Sequence, residues 1–159
     1  MNKYMQIADE LAKQNVLTNH GGPFGAVVVK DNVVVGVGNN HVVENNDPTA
    51  HAEVMAIRNA CDTLKTFDLS GCQLYTSCYP CPMCLSAIIW ANIKTVYYGN
   101  TKEDAADIGF RDDMIYEYLE ALTTANGNEE ILKTIPMDRN ETIKAFEDFK
   151  NKTVNKTMY

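Results

Sequence analysis

The chain has 159 residues, 45% hydrophobic and 22% charged, a balance that suits one globular domain with a core of its own. Its 21 acidic residues outnumber 14 basic ones, and the net charge of -7 argues against nucleic acid as a partner, because phosphate backbones reward basic surfaces. The opening MNKYMQIADELAKQN carries no apolar run of signal-peptide length, and nothing later could span a bilayer, so the expectation is a soluble, cytoplasmic protein with no membrane contact.

Residues 4–14 place Tyr4, Ile7, Ala8, Leu11 and Ala12 at helical spacing, which predicts an amphipathic opening helix. The glycines and proline of HGGPFG then mark a loop. GAVVVK and NVVVGVG are β-branched runs that meet at Lys30-Asp31-Asn32 and read as a hairpin. The polar NNHVVENNDPTA follows as a loop, with Thr49 placed to cap the next helix. That helix, HAEVMAIRNACDTL, is expected to bury a stripe of Val54, Ile57, Ala60, Cys61 and Leu64. CQLYTS reads as a strand, CPMCLSAIIWANI as a helix and KTVYYGN as a further strand, with Tyr75 and Trp90 assigned to packing. Residues 101–159 read as mostly helical and acidic, with Ile143, Phe146 and Phe149 patterned on a C-terminal helix. Strands alternating with helices predict an α/β domain whose helices cover a mixed sheet.

Five cysteines, an odd number, do not look like a secreted disulfide framework. In a reducing compartment, close cysteines serve more often as metal ligands or catalytic groups. Cys81 and Cys84 stand three apart in what should be the first turn of a helix, where Pro82 is tolerated and where i, i+3 spacing puts both sulfurs on one face. The positive end of the helix favours thiolate, the metal-binding form. A thioredoxin-like redox pair would share the spacing, but no thioredoxin-like strand order accompanies it.

Two sulfurs need further ligands. Of the three histidines, His20, His41 and His51, the last opens a helix as His51-Ala52-Glu53. Residues two apart diverge along a helix, so His51 and Glu53 can approach one ion only over the helix end. His51, Cys81 and Cys84 would then form a three-ligand site for Zn2+ with an open position, and Glu53 would shuttle protons. The rival is a closed, inert Cys3His knot with Cys78 as fourth ligand. Against it, spacing by threes does not keep side chains on one face across a strand–helix junction. The rival would make the chain a zinc-stabilised binding module.

His51-Ala52-Glu53 with Pro80-Cys81-Pro82-Met83-Cys84 is the H-x-E…P-C-x-x-C signature of zinc nucleobase deaminases. Over residues 1 to 110 the order of elements resembles the cytidine-deaminase-like fold, which implies a three-layer architecture with a central mixed β-sheet flanked by helices. The longer strings GGPFGAVVVKD, NNDPTAHAEVMAIRNAC, YTSCYPCPMCLSAI and DAADIGF resemble bacterial guanine deaminases. That resemblance implies hydrolysis of guanine to xanthine and ammonia, with guanosine, cytosine, another aminated base or adenosine in tRNA as alternatives. It also implies that Asn40 and Asp112 hold the base, that Phe110 stacks on it, and that Ala52 and Tyr79 lie beside it. Residues 1–159 would then be a single deaminase domain. Its helical tail, from about 136 to 159, would be exchanged between the subunits of a homodimer, so that Tyr159 closes a neighbour's pocket. Tyr79 departs from the family pattern, which has Glu there.

Overall fold

This computed structural model describes residues 1–125 and 127–159. The chain divides into two compact units, Met1–Asp112 and Asp113–Tyr159.

The first unit begins with α1, Lys3–Val16, capped by Asn2, whose side-chain oxygen accepts from the Tyr4 and Met5 N–H groups. Next come β1, Gly25–Lys30, and β2, Val33–Asn39. They join as the expected hairpin through Asp31 and Asn32, both at positive φ, 48° and 64°, as the twist of a two-residue connection requires. A short helix, α2, Val42–Asn45, interrupts the stretch expected to be all loop, and it ends on Asn46 in the left-handed region. Then follow α3, Ala52–Leu64; β3, Gln73–Cys78; α4, Pro82–Trp90; β4, Thr95–Asn100; and α5, Lys102–Asp107.

The four strands form one sheet in the order β2-β1-β3-β4. β1 is antiparallel to both β2 and β3, whereas β3 and β4 run parallel. Alternation along β1 divides the core. Val27 and Val29 pack with Tyr4, Ala8 and Tyr75 under α1. Ala26 and Val28 face the opposite way and pack with Ala52, Ala56 and Ala60 of α3, Leu74 of β3 and Ile88 of α4. The result is the three-layer, mixed-sheet architecture expected from the sequence.

Two packing expectations change. Trp90 is 66% exposed, because the buried face of α4 is carried by Pro82, Cys84 and Ile88. On α3 the fully buried line is Ala52, Ala56 and Ala60, while Ile57, Cys61 and Leu64 flank it half-buried. The cause is close approach to β2. A Cβ on Gly38 would stand 2.3 Å from the Ala52 carbonyl oxygen, and one on Gly36 2.4 Å from that of Ala56. Only methyl groups fit between elements so near.

The second unit contains α6, Asp113–Thr124, and α7, Arg139–Asn151. Asn128 donates to the Glu117 carboxylate at 3.0 Å, and Gly127, at φ 90°, lies against the Tyr118 ring. On α7, Phe146 is 75% exposed and Phe149 41%. Among the described residues no helix is long and apolar enough to cross a membrane.

Candidate active site

Two helix N-termini build the site. The loop entering α3 is folded by Asp47, whose side chain accepts from the Thr49 N–H at 2.8 Å and hydroxyl at 2.7 Å. Thr49 therefore serves the turn, and His51 takes the N-cap position expected of Thr49 without making a side-chain cap bond. At α4, Cys81 is the N-cap, again with no side-chain cap bond, and Pro82 follows as the first helical residue. Both cap side chains are thus available to a third party.

They converge. Nδ1 of His51 lies 3.6 Å from Sγ of Cys81 and 3.5 Å from Sγ of Cys84. A tetrahedral zinc with bonds of about 2.3 Å to sulfur and about 2.0–2.1 Å to nitrogen sets those atoms about 3.5 Å apart. The donor set, one imidazole and two thiols around one point, therefore fits such an ion. Cys81 is held low, to about 4, first by the hydrogen bond from Cys84 and then by His51. Its partner Cys84 is pushed up by that same bond and by burial. His51 is raised, chiefly through its hydrogen bond with Cys81, with smaller contributions from the carboxylates of Glu53 and Asp112.

Cys78 stands apart from this group. It is buried, its Sγ lies 3.3 Å from the Thr101 carbonyl oxygen, to which it donates, and burial pushes its thiol up to about 11. Its sulfur does not belong to the cluster of mutually close donors formed by His51, Cys81 and Cys84. A carboxylate lies beside the group instead. Glu53 is 6% exposed, accepts from the Thr76 hydroxyl at 3.0 Å, and its Oε2 lies 3.4 Å from Sγ of Cys84. Burial raises its carboxyl above the ordinary value.

The other expected site residues are distributed as follows. Ala52 is fully buried at the start of α3. Asn40 is 4% exposed, with its carbonyl tied to Asn15 Nδ2 at 2.7 Å and its Oδ1 accepting from the Val42 N–H at 3.1 Å. Phe110 meets Phe24 edge to face, centroids 5.0 Å apart. Tyr79 is 38% exposed and meets Tyr98 in the same way, also at 5.0 Å. Asp112 is half-buried and acts on His51 through its charge. Tyr159, the last residue of the second unit, is 83% exposed. Two contributors escaped the sequence reading. Thr76 reads as an ordinary β-branched strand residue, and Phe24 as part of a glycine-rich loop; both lie within strings that carry the family resemblance, but nothing there sets either apart.

Residues 1–100 match the family model of the cytidine and deoxycytidylate deaminase zinc-binding region. The chain belongs to this deaminase family. It is 51% identical over 117 residues to the guanine deaminase of Bacillus subtilis, covering 74% of this chain and 75% of that one. It is 43% identical over 76 residues to a tRNA-specific adenosine deaminase of Aquifex aeolicus, about half of each protein. Among solved structures, the guanine deaminase of Bacillus subtilis superimposes with a TM-score of 0.89 at 43% identity, over 100% of this chain and 99% of that one. The guanine deaminase of Nitrosomonas europaea matches with a TM-score of 0.65 at 34% identity, over 69% of this chain and 63% of that one.

Proposed function

We propose that the protein hydrolyses the exocyclic amine of free guanine, giving xanthine and ammonia, at a zinc held by His51, Cys81 and Cys84. One observation carries the reading. Three donors at zinc spacing lie beside the buried carboxylate of Glu53, with Cys78 turned away, in a chain that shares half its residues with a guanine deaminase over most of its length.

Zinc bound there would supply Lewis acidity, lowering the pKa of a water toward neutrality. Glu53 takes the proton that the water gives up as it attacks C2 of the base. It passes that proton to a ring nitrogen, then takes a second proton from the new C2 hydroxyl as the carbonyl forms and passes it to the departing amine, which leaves as ammonia. Its raised carboxyl suits both halves of the task, and Thr76 holds one carboxylate oxygen so that the other can turn to the substrate. Asn40, with Oδ1 occupied by the Val42 N–H, has its amide N–H groups to offer a base carbonyl. Asp112 accepts from the guanine edge, and Phe110, braced by Phe24, supplies the stacking wall. Ala52 and Tyr79 line the same pocket. Holding a flat base in one pose can lower the barrier by several kcal/mol, on the order of 7–11 in well-oriented cases. The functional unit in this reading is a cytoplasmic homodimer with exchanged tails, in which Tyr159 of each chain closes the other's pocket.

Ammonia release from guanine, guanosine, adenine, cytosine, cytidine and a tRNA anticodon stem-loop tests the reading. Guanine should turn over best. Turnover of the stem-loop alone would favour the tRNA-editing relatives, a reading the acidic composition opposes. Turnover of another free base would keep the chemistry and direct attention to Tyr79. No turnover with metal bound would restore the binding-module alternative.

A further inference from the structure

A second cluster of metal-ligating side chains lies outside the deaminase site. It comprises His20, in the loop after α1, with His41 and Glu44 at α2, and their ligand atoms all lie within 4.8 Å of one another. Nδ1 of both rings faces the same carboxylate oxygen, Oε2 of Glu44, at 2.5 Å from His41. The rings meet edge to face with centroids 5.0 Å apart. The backbone holds the arrangement, since the Val43 and Glu44 N–H groups both donate to the His20 carbonyl at 3.0 Å.

A chain of hydrogen bonds dictates the tautomer of His41. Asn15, 3% exposed, donates through Nδ2 to the carbonyls of Gly22, at 2.8 Å, and Asn40, at 2.7 Å. Its Oδ1 therefore accepts, and Asn39 Nδ2 donates to it at 2.6 Å. Asn39 Oδ1 is left facing Nε2 of His41 at 2.8 Å, so that nitrogen carries the proton. In neutral His41 the lone pair on Nδ1 then points at an anionic oxygen, which repels it unless positive charge stands between them. Metal-ligating histidines have this arrangement, with the distal N–H given to an oxygen that fixes the ring and the other nitrogen aimed at the ion.

We propose that His20, His41 and Glu44 form a second site, for a divalent transition ion of the zinc class. Two imidazoles and one carboxylate select such an ion over magnesium or calcium, which prefer oxygen throughout. With both rings neutral, the donor set carries one negative charge against the ion's two positive ones. Tetrahedral bonds of about 2.0–2.2 Å separate nitrogen and oxygen ligands by about 3.3–3.6 Å. Closing on the ion therefore asks the Glu44 carboxylate to withdraw from the rings by about 1 Å, and Glu44, 47% exposed, is at liberty to do so. The ion would clamp the two chain segments around Asn40. A Cβ on Gly21, next to His20, would stand 2.0 Å from Asn40 Oδ1, so these segments already touch. This site shares no ligand with the one at His51.

Metal counting on the full chain tests it. Wild type, Cys81→Ser, Glu44→Gln and the double variant are dialysed against Zn2+, checked for native circular dichroism, and analysed by atomic emission. The expected contents are about two, one, one and zero ions per chain, because each site loses its ion with one ligand. In the Cys81→Ser background, added zinc should still raise Tm, and Glu44→Gln or His20→Ala should abolish that rise. The proposal is overturned if Glu44→Gln keeps the wild-type count and zinc leaves the Tm of Cys81→Ser unchanged, since a proton rather than a cation would then bridge the cluster. A single wild-type ion that survives Cys81→Ser but not Glu44→Gln would uphold this site and overturn the one at His51.

Discussion

Glu53 shows how one residue's environment separates catalysis from structure. A carboxylate buried to 6% exposure costs stability unless it is paired, and here its partners are a threonine hydroxyl and a thiol rather than a cation. Glu53→Gln removes the proposed proton carrier and keeps the shape. Turnover should fall by about 10²–10⁴-fold, the usual contribution of general acid–base catalysis, with the zinc count unchanged. Loss of metal together with activity would instead place Glu53 among the ligands. The neighbouring cysteines separate just as cleanly. Cys81→Ser should release the ion from His51, whereas Cys78→Ser, whose sulfur donates to the Thr101 carbonyl, should retain it in the same atomic-emission assay. The grouping of His51, Cys81 and Cys84 could be read from the sequence because metal ligation needs particular atoms at short spacing. Thr76 could not, since a hydroxyl that orients a carboxylate looks the same in sequence as a strand-forming threonine.

At the scale of elements, the position of α3 determines whether the site exists. Its first turn carries Ala52 and Glu53, its N-cap is His51, and its whole length rests on β2 through Ala52, Ala56 and Ala60 against Gly36 and Gly38. Gly38→Ala would force a methyl to within 2.3 Å of backbone, so α3 must shift. The expected cost is about 1–3 kcal/mol, typical of overpacking, measured by urea denaturation. Because the shift falls beneath Ala52, activity should drop further than a global loss of stability explains. Helical periodicity located α3 within a residue of its observed limits. It found Ala60 but passed over Ala52 and Ala56 for bulkier neighbours that are only half-buried, because periodicity ranks residues by hydrophobicity whereas a close helix–strand contact selects them by size.

At the scale of the whole molecule, pH and assembly offer tests. Asp47 and Asp68 each fold a turn, and both carboxyls are held below the ordinary range, first by the hydroxyls of Thr49 and Ser70 respectively. A carboxyl lowered in the folded state binds its proton more weakly there than in the unfolded chain. Its stabilisation is therefore complete above the unfolded value, about pH 3.9 for aspartate, and is lost as pH falls through the lower folded value. Asp47→Asn should lower Tm at neutral pH and flatten the decline of Tm in acid, read by thermal melts across pH. Exchange of tails between subunits predicts a particle of about twice the chain mass of 17.7 kDa by light scattering. Tyr159→Ala should preserve that mass while raising KM for guanine about tenfold, the equivalent of about 1.4 kcal/mol of lost contact. A variant that becomes monomeric would assign Tyr159 to assembly rather than to the pocket.

By itself the sequence determined the elements, their layering around a mixed sheet and which three side chains would be grouped as candidate metal donors. These follow from local rules: alternation, helical period, turn residues and the few side-chain atoms that bind zinc. Only the tertiary structure decided which close cysteine is excluded, what holds Glu53, and that His20 and His41 share one carboxylate. Those facts each turn on a pair 23 or 24 positions apart: Cys78 with Thr101, Thr76 with Glu53 and His20 with Glu44. Such pairings are set by how strands and helices pack, and no local pattern in the chain encodes them.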